Sequence, residues 1–158
     1  MLVFQKKVRG FKEYSQMSLS QLIYTSTCTD ELTPKKSHEA SHLSVQICQQ
    51  LGLTGRVFAN DITAFAMMEG PTSIVQKYYR AVESDQMVDT IILHVDRPIE
   101  KREFKDYRVL LNSKERFDIG REIGILTPKS LEESLPLNPS IRLRIMVEAF
   151  KRDVLLAA

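Results

Sequence analysis

From Leu19 to Ser26 apolar and polar positions alternate closely enough to predict a β-strand, with Leu22 and Tyr24 on one face and Ile23 on the other. Thr27 to Glu31 is a polar connection. Thr33-Pro34 then opens a helix, the threonine as N-cap and the proline where its missing N–H costs nothing. On a helical projection Ala40, Leu43, Ile47 and Leu51 share one face, with Ser44 and Cys48 at its edge, so that face is expected to be buried. Gly52 ends this helix. Gly55 to Ala59 reads as a short strand, Asn60-Asp61 as a tight turn, and Ile62 to Met68 as the returning hairpin strand. Gly70-Pro71 opens a second helix with Val75, Tyr79 and Val82 at i, i+4 and i+7. Asp89 to Val95 is a further strand, Arg97 to Lys105 a charged connection, and Tyr107 to Asn112 a last strand.

Strand, helix, strand, strand, helix, strand, strand is a ferredoxin-like order with one strand added. It predicts an α/β fold: a mixed five-stranded sheet with two helices on one face. The remainder differs. Prolines at 128, 136 and 139 cut it into short helical pieces. Asn138-Pro139 starts a final helix with Leu143, Met146, Val147, Phe150 and Val154 on one stripe, expected to cover the sheet's open face or to form a subunit contact. Three segments are expected: a basic extension over residues 1–16, a domain over 17–112, and a helical cap or oligomerisation segment over 113–158.

Charge adds little. The 158 residues carry 22 basic and 20 acidic side chains, a net +2 that makes no general case for nucleic-acid binding. Residues 1–16 hold a local +3, and the rest of the chain is at −1. That segment lacks the apolar run of a secretory signal and is expected to be an extension, with Met17 a candidate natural start. No apolar run approaches the roughly 20 residues needed to span a bilayer. Two cysteines, Cys28 and Cys48, are too few for a disulfide framework and fit a reducing cytoplasm.

One motif points to metal chemistry. His38-Glu39-Ala40-Ser41-His42 matches H-E-x-x-H, whose histidines share a helix face and bind zinc in hydrolases. The helical projection places both histidines on the solvent side, and a third ligand is unassigned, since His94 is the only other histidine. An exposed polar helix face is the expectation, and a zinc hydrolase the remote alternative. The charges from Glu100 to Asp106 are expected to be a solvated loop with local pairs of little energetic weight.

Several short pieces together resemble the BLUF family, the flavin-binding sensors of blue light. They are Tyr24-Thr25-Ser26, Leu53-Thr54-Gly55 and Met68-Glu69-Gly70-Pro71, then Val75, Tyr79 and Asp85, then Arg97-Pro98-Ile99 followed by Arg102 and Phe104. Their order and spacing fit the family from Leu19 to about Asn112. The resemblance implies a BLUF fold with FAD between the two helices. It implies a first-strand tyrosine as light-driven donor, matched by Tyr24, and a helix-facing serine, matched by Ser44. It also implies an asparagine, a glutamine and an arginine at the flavin, and these fall on Cys48, Ala66 and Met87. The family's last-strand tryptophan and methionine fall on Tyr107 and Val109.

A buried flavin edge leaves about 1–3 kcal/mol of cost for each unpaired polar group. Losing the Asn and Gln partners weakens binding by roughly 30-fold to 10⁴-fold. Without the amide at position 66, Tyr24 has no relay to the ring. The expectation is therefore a non-enzymatic regulatory or protein-interaction module without flavin or photocycle. The alternative is a divergent FAD-binding receptor that signals through its C-terminal segment. Expected partners are a protein at that segment or at the sheet face, and copies of the chain itself.

Overall fold

The computed structural model describes residues 18–113, 115, 117 and 122–155, the last two without their side chains. The expectation for the basic residues 1–16 lies outside them, as does the side chain of Val154. The chain forms β1 (Leu19–Cys28), α1 (Pro34–Gln50), β2 (Thr54–Asn60), β3 (Thr63–Pro71), α2 (Thr72–Glu83), β4 (Val88–Ile99) and β5 (Tyr107–Asn112). After them come β6 (Ile123–Ile125), α3 (Pro128–Ser134) and α4 (Ile141–Phe150), which runs on into a π-helical turn at Lys151–Leu155.

The strands make one mixed sheet in the order β4-β1-β3-β2-β5-β6. β1 lies antiparallel between β3 and β4, while β2 pairs antiparallel with β3 and parallel with β5. A sixth strand, β6, extends the five expected ones by pairing parallel with β5. At the β2–β3 turn the Asn60 side chain accepts from the backbone N–H of Ile62 and Thr63, at 2.8 and 2.7 Å. Gly55 allows the close pairing of β2 and β3. Its φ is +152°, and a Cβ there would lie 1.9 Å from the Met67 carbonyl oxygen.

Alternation along the strands divides the core into two layers. Leu22, Tyr24, Ala66, Met68 and Val109 pack with α1 and α2 on one face. Ile23, Phe58, Phe65, Met67 and Val95 point to the other face, where Leu131 of α3 and Leu143, Val147 and Phe150 of α4 cover them. The final helix thus covers the open face of the sheet. Phe150 stacks on Phe65 with centroids 5.1 Å apart and lies 6.0 Å from Phe58.

α1 is turned relative to the expected face. Ala40 is exposed, Leu43 and Leu51 are half-buried, and the inward stripe includes Ser37, Val45, Ile47 and Cys48. The apolar projection misjudged it because part of the surface that α1 presents inward is serine. Thr33 caps the helix, accepting from Lys36 N–H.

Candidate functional site

A slot opens between α1, α2 and the sheet. It holds a cavity of about 160 Å³ that reaches Tyr24 and Ser26 on β1, Ser44 on α1, Ala66 on β3, and Tyr78 on α2. Strand register sets its floor, because Tyr24 stands directly across from Ala66 in the β1–β3 pair. The Tyr24 ring meets Tyr79 edge to face, with centroids 5.3 Å apart. Among the described residues, no side chain hydrogen-bonds its hydroxyl. Burial pushes that hydroxyl's pKa well up, so it remains a proton donor.

The expected positions divide by place. Tyr24, Ser44 and Ala66 line the cavity. Cys48 is fully buried beyond the lining, among the hydroxyls of Tyr78, Tyr107 and Ser44. Met87 lies apart, in the turn between α2 and β4, where its sulfur faces Thr29 Oγ1 at 3.9 Å. Sequence reasoning missed Tyr78. Its hydroxyl and that of Tyr107 both meet Ser44 Oγ, at 3.1 and 2.9 Å. The signal was present as a second tyrosine beside Tyr79, one position further round the helix.

Burial pushes the Cys48 thiol up to about 11. At pH 8 only about one such thiol in a thousand is ionised, against a sizeable fraction of an ordinary one. Cys28 is half-buried and also raised, by burial first and then by Asp85. Iodoacetamide on the folded chain is therefore expected to label Cys28 and to reach Cys48 only on unfolding, read by peptide mass spectrometry. Equal rates at the two sites would contradict the packing around Cys48.

The H-E-x-x-H expectation needs correction in one respect. His38 is buried, with Nδ1 2.9 Å from the Pro34 carbonyl and its ring edge-on to Phe117. His42 pairs instead with Glu122. The two histidines serve separate partners, and the described residues contain no group of three side chains placed to hold a metal.

The Glu100–Asp106 loop is likewise not merely solvated. Glu69, fully buried on β3, accepts from Gln21 Nε2 at 2.8 Å and from the backbone N–H of Glu103 and Phe104 at 2.9 and 3.0 Å. Burial raises the Glu69 carboxyl, and these donors pull it part of the way back. Glu103 continues the chain of contacts. It accepts from Gln21 Nε2 at 2.7 Å and from the N–H of Ser140, the N-cap of α4, at 2.6 Å. Arg97 Nε donates to Gln21 Oε1 at 2.9 Å. Arg102 donates to the Gly52 carbonyl at 2.7 Å and to Thr54 Oγ1 at 3.0 Å. A hydrogen-bonded path therefore runs from the slot-bearing strands to the start of the cap helix.

A mixed sheet with two helices on one face and a slot beneath them is a ferredoxin-like α/β fold with a ligand-sized opening. Residues 19–109 match the family model BLUF, sensors of blue-light using FAD, and the chain belongs to that family. No curated protein matches it. Among solved structures it is similar to BlrB, a BLUF protein in its dark state, at 23% identity and a TM-score of 0.54. That match covers 62% of this chain and 74% of that one. It is similar to the BLUF part of BlrP1 at 15% identity and a TM-score of 0.66, covering 85% and 90%. The calcium and cyclic-diGMP complex of BlrP1 from Klebsiella pneumoniae matches at 20% identity and a TM-score of 0.67. There this chain spans 34% of the longer protein. No helix among the described residues is long and apolar enough to cross a membrane.

Proposed function

We propose that this chain is a BLUF-fold regulatory or protein-interaction module that has lost flavin binding and the blue-light photocycle. The observation that carries the reading is the pairing of Tyr24 with Ala66 across β1 and β3. A methyl group stands where a relay needs an amide, and it can neither donate nor accept. The residues present do not fit the flavin. The cavity of about 160 Å³ is well short of the roughly 300 Å³ at which sites for larger ligands begin. Cys48 and Met87 offer the ring's polar edge nothing from where they lie.

A module of this kind acts by contact. Ile141 and Ile145, 81% and 62% exposed, stand on the outward side of α4 and support a protein partner, or a second copy, at the C-terminal segment. The hydrogen-bonded path from β1 and β3 to Ser140 supports coupling between the slot and that surface. The unpaired Cys28 and Cys48 support a cytoplasmic setting.

The test is an absorption spectrum of protein purified in the dark with flavin supplied during expression, repeated after blue illumination. Absence of flavin bands, and unchanged flavin fluorescence on titration with the protein, are expected. Flavin bands with a reversible light-induced red shift would overturn the reading. They would favour the alternative, a divergent FAD-binding receptor signalling through its C-terminal segment, to which Tyr24 and Ser44 already belong.

A further inference from the structure

The two edges of the sheet are built differently. β6 is three residues long, too short to template another strand. β4 is 12 residues long, and among the described residues no strand pairs with its outer side. Every second residue of such a strand turns its backbone N–H and C=O outward without a strand partner. Lysine, proline or a bulge ordinarily guards such an edge. β4 has no lysine, and its proline stands near the C-terminal end at Pro98. Its irregularities fall at Asp89 and His94, which the pairing with β1 skips. Between them Thr90-Ile91-Ile92-Leu93 pairs regularly with Thr27 to Tyr24. This window carries no charge, and Ile92 and Leu93 are 54% and 41% exposed. Directly paired residues share a face, so Ile91 and Leu93 stand on the helix side with Ser26 and Tyr24, and Ile92 stands on the cap side with Thr25. The edge is therefore apolar on both faces at once.

The window is complementary to itself. In antiparallel pairing about a two-fold axis, opposite residues share a face, so the axis passes through one residue and sets it against its own copy. An axis at Ile92 sets Ile92 against Ile92 and Ile91 against Leu93 twice, apolar on apolar at every position. An axis at Ile91 would set Asp89 against Leu93, and one at Leu93 would set Ile92 against His94. We propose that two copies of this chain pair antiparallel through β4, centred on Ile92, and join their six-stranded sheets into one. The inference goes beyond the function proposed above and holds whether or not the slot takes flavin. It assigns the second copy to β4 and leaves the outward side of α4 to a different protein.

The test is sedimentation velocity of the full chain over a range of concentrations, where a reversible monomer–dimer equilibrium is expected. Ile92→Lys sets two ammonium groups across the axis, and Ile92→Glu two carboxylates. Each weakens dimerisation about tenfold. Mixing the two variants restores association, because position 92 meets position 92. The side chain is more than half exposed, so both variants keep the fold, which circular dichroism checks. Ile145→Lys leaves the dimer intact. A chain that is monomeric at every concentration overturns the proposal. So does a dimer that both Ile92 variants leave intact, or one that Ile145→Lys disrupts. A mixture of the Ile92 variants that associates no better than either alone overturns it as well. Hydrogen exchange on the unaltered chain is independent of any variant. The outward amides of Thr90–Leu93 are expected to exchange more slowly as concentration rises. Exchange that does not change with concentration means an edge left open or covered by something else, and overturns the proposal.

Discussion

Glu69→Ala is expected to lower the unfolding free energy by about 2–6 kcal/mol at neutral pH, a large part of the roughly 5–15 kcal/mol typical of a domain. The substitution strands the backbone N–H groups of Glu103 and Phe104, which have no other acceptor in the network and lie 2.9 and 3.0 Å from the carboxylate. Gln21 keeps Glu103 as a partner and is less affected. Urea denaturation of the variant beside the native chain measures the change, and a loss under about 1 kcal/mol would sink the argument.

Glu69→Gln isolates the charge. Burial holds the native carboxyl above its ordinary value, so the folded chain takes up a proton at Glu69 where the unfolded chain is still ionised. That contribution is fully present below the ordinary carboxyl value and is lost as pH rises through the raised folded value. The stability of the native chain relative to Glu69→Gln should therefore grow on acidification across that window. A flat difference would mean that the hydrogen bonds, and not burial, set the carboxyl.

Phe150→Ala is expected to cost about 3–5 kcal/mol, the range for deleting a buried aromatic ring. Phe150 is 4% exposed and closes a three-ring stack on Phe58 and Phe65, which face each other across β2 and β3. The empty space cannot collapse easily, since Leu131, Leu143 and Val147 already fill the rest of that face. A fall in melting temperature of about 6–20 °C follows for a chain of this size. A smaller fall, with near-UV signals of the cap unchanged, would show that the cap is held chiefly by its other contacts. The same variant is expected to weaken any partner that reads Ile141 and Ile145, because α4 holds them in place.

β1 was legible in the sequence because Leu22 and Tyr24 alternate with Ile23, and β2 and β3 because the Asn60-Asp61 turn joins them. Tyr24 in and Ile23 out follows from period two alone, and the resemblance located Gly55 and Glu69. The final helix was legible for the opposite reason, a clean stripe from Leu143 to Phe150. β6 was not, since Ile123-Gly124-Ile125 is too short to show a period. Part of the inward face of α1 was hidden because Ser37 looks like a solvent-facing residue until the helix is seen against the sheet. His38 was misplaced because its ring packs edge-on against Phe117, a contact distant in sequence. The site was half legible. The resemblance assigns the substituted positions to the site, but it gives no sign of Tyr78 joining Ser44. The Gln21–Glu69–Glu103 contacts bridge 48 and 82 residues of sequence and leave no local trace.

The sheet is one strand layer thick, and neighbouring positions on a strand face opposite ways. Ala66 looks into the slot, while Phe65 and Met67 on either side look toward the cap. The layer thus acts as a partition between two selective regimes. Replacements on the slot side can accumulate one at a time without disturbing a ring of the aromatic stack behind them. A change at Ala66 therefore reshapes the slot and leaves the rings of Phe58, Phe65 and Phe150 packed as they were.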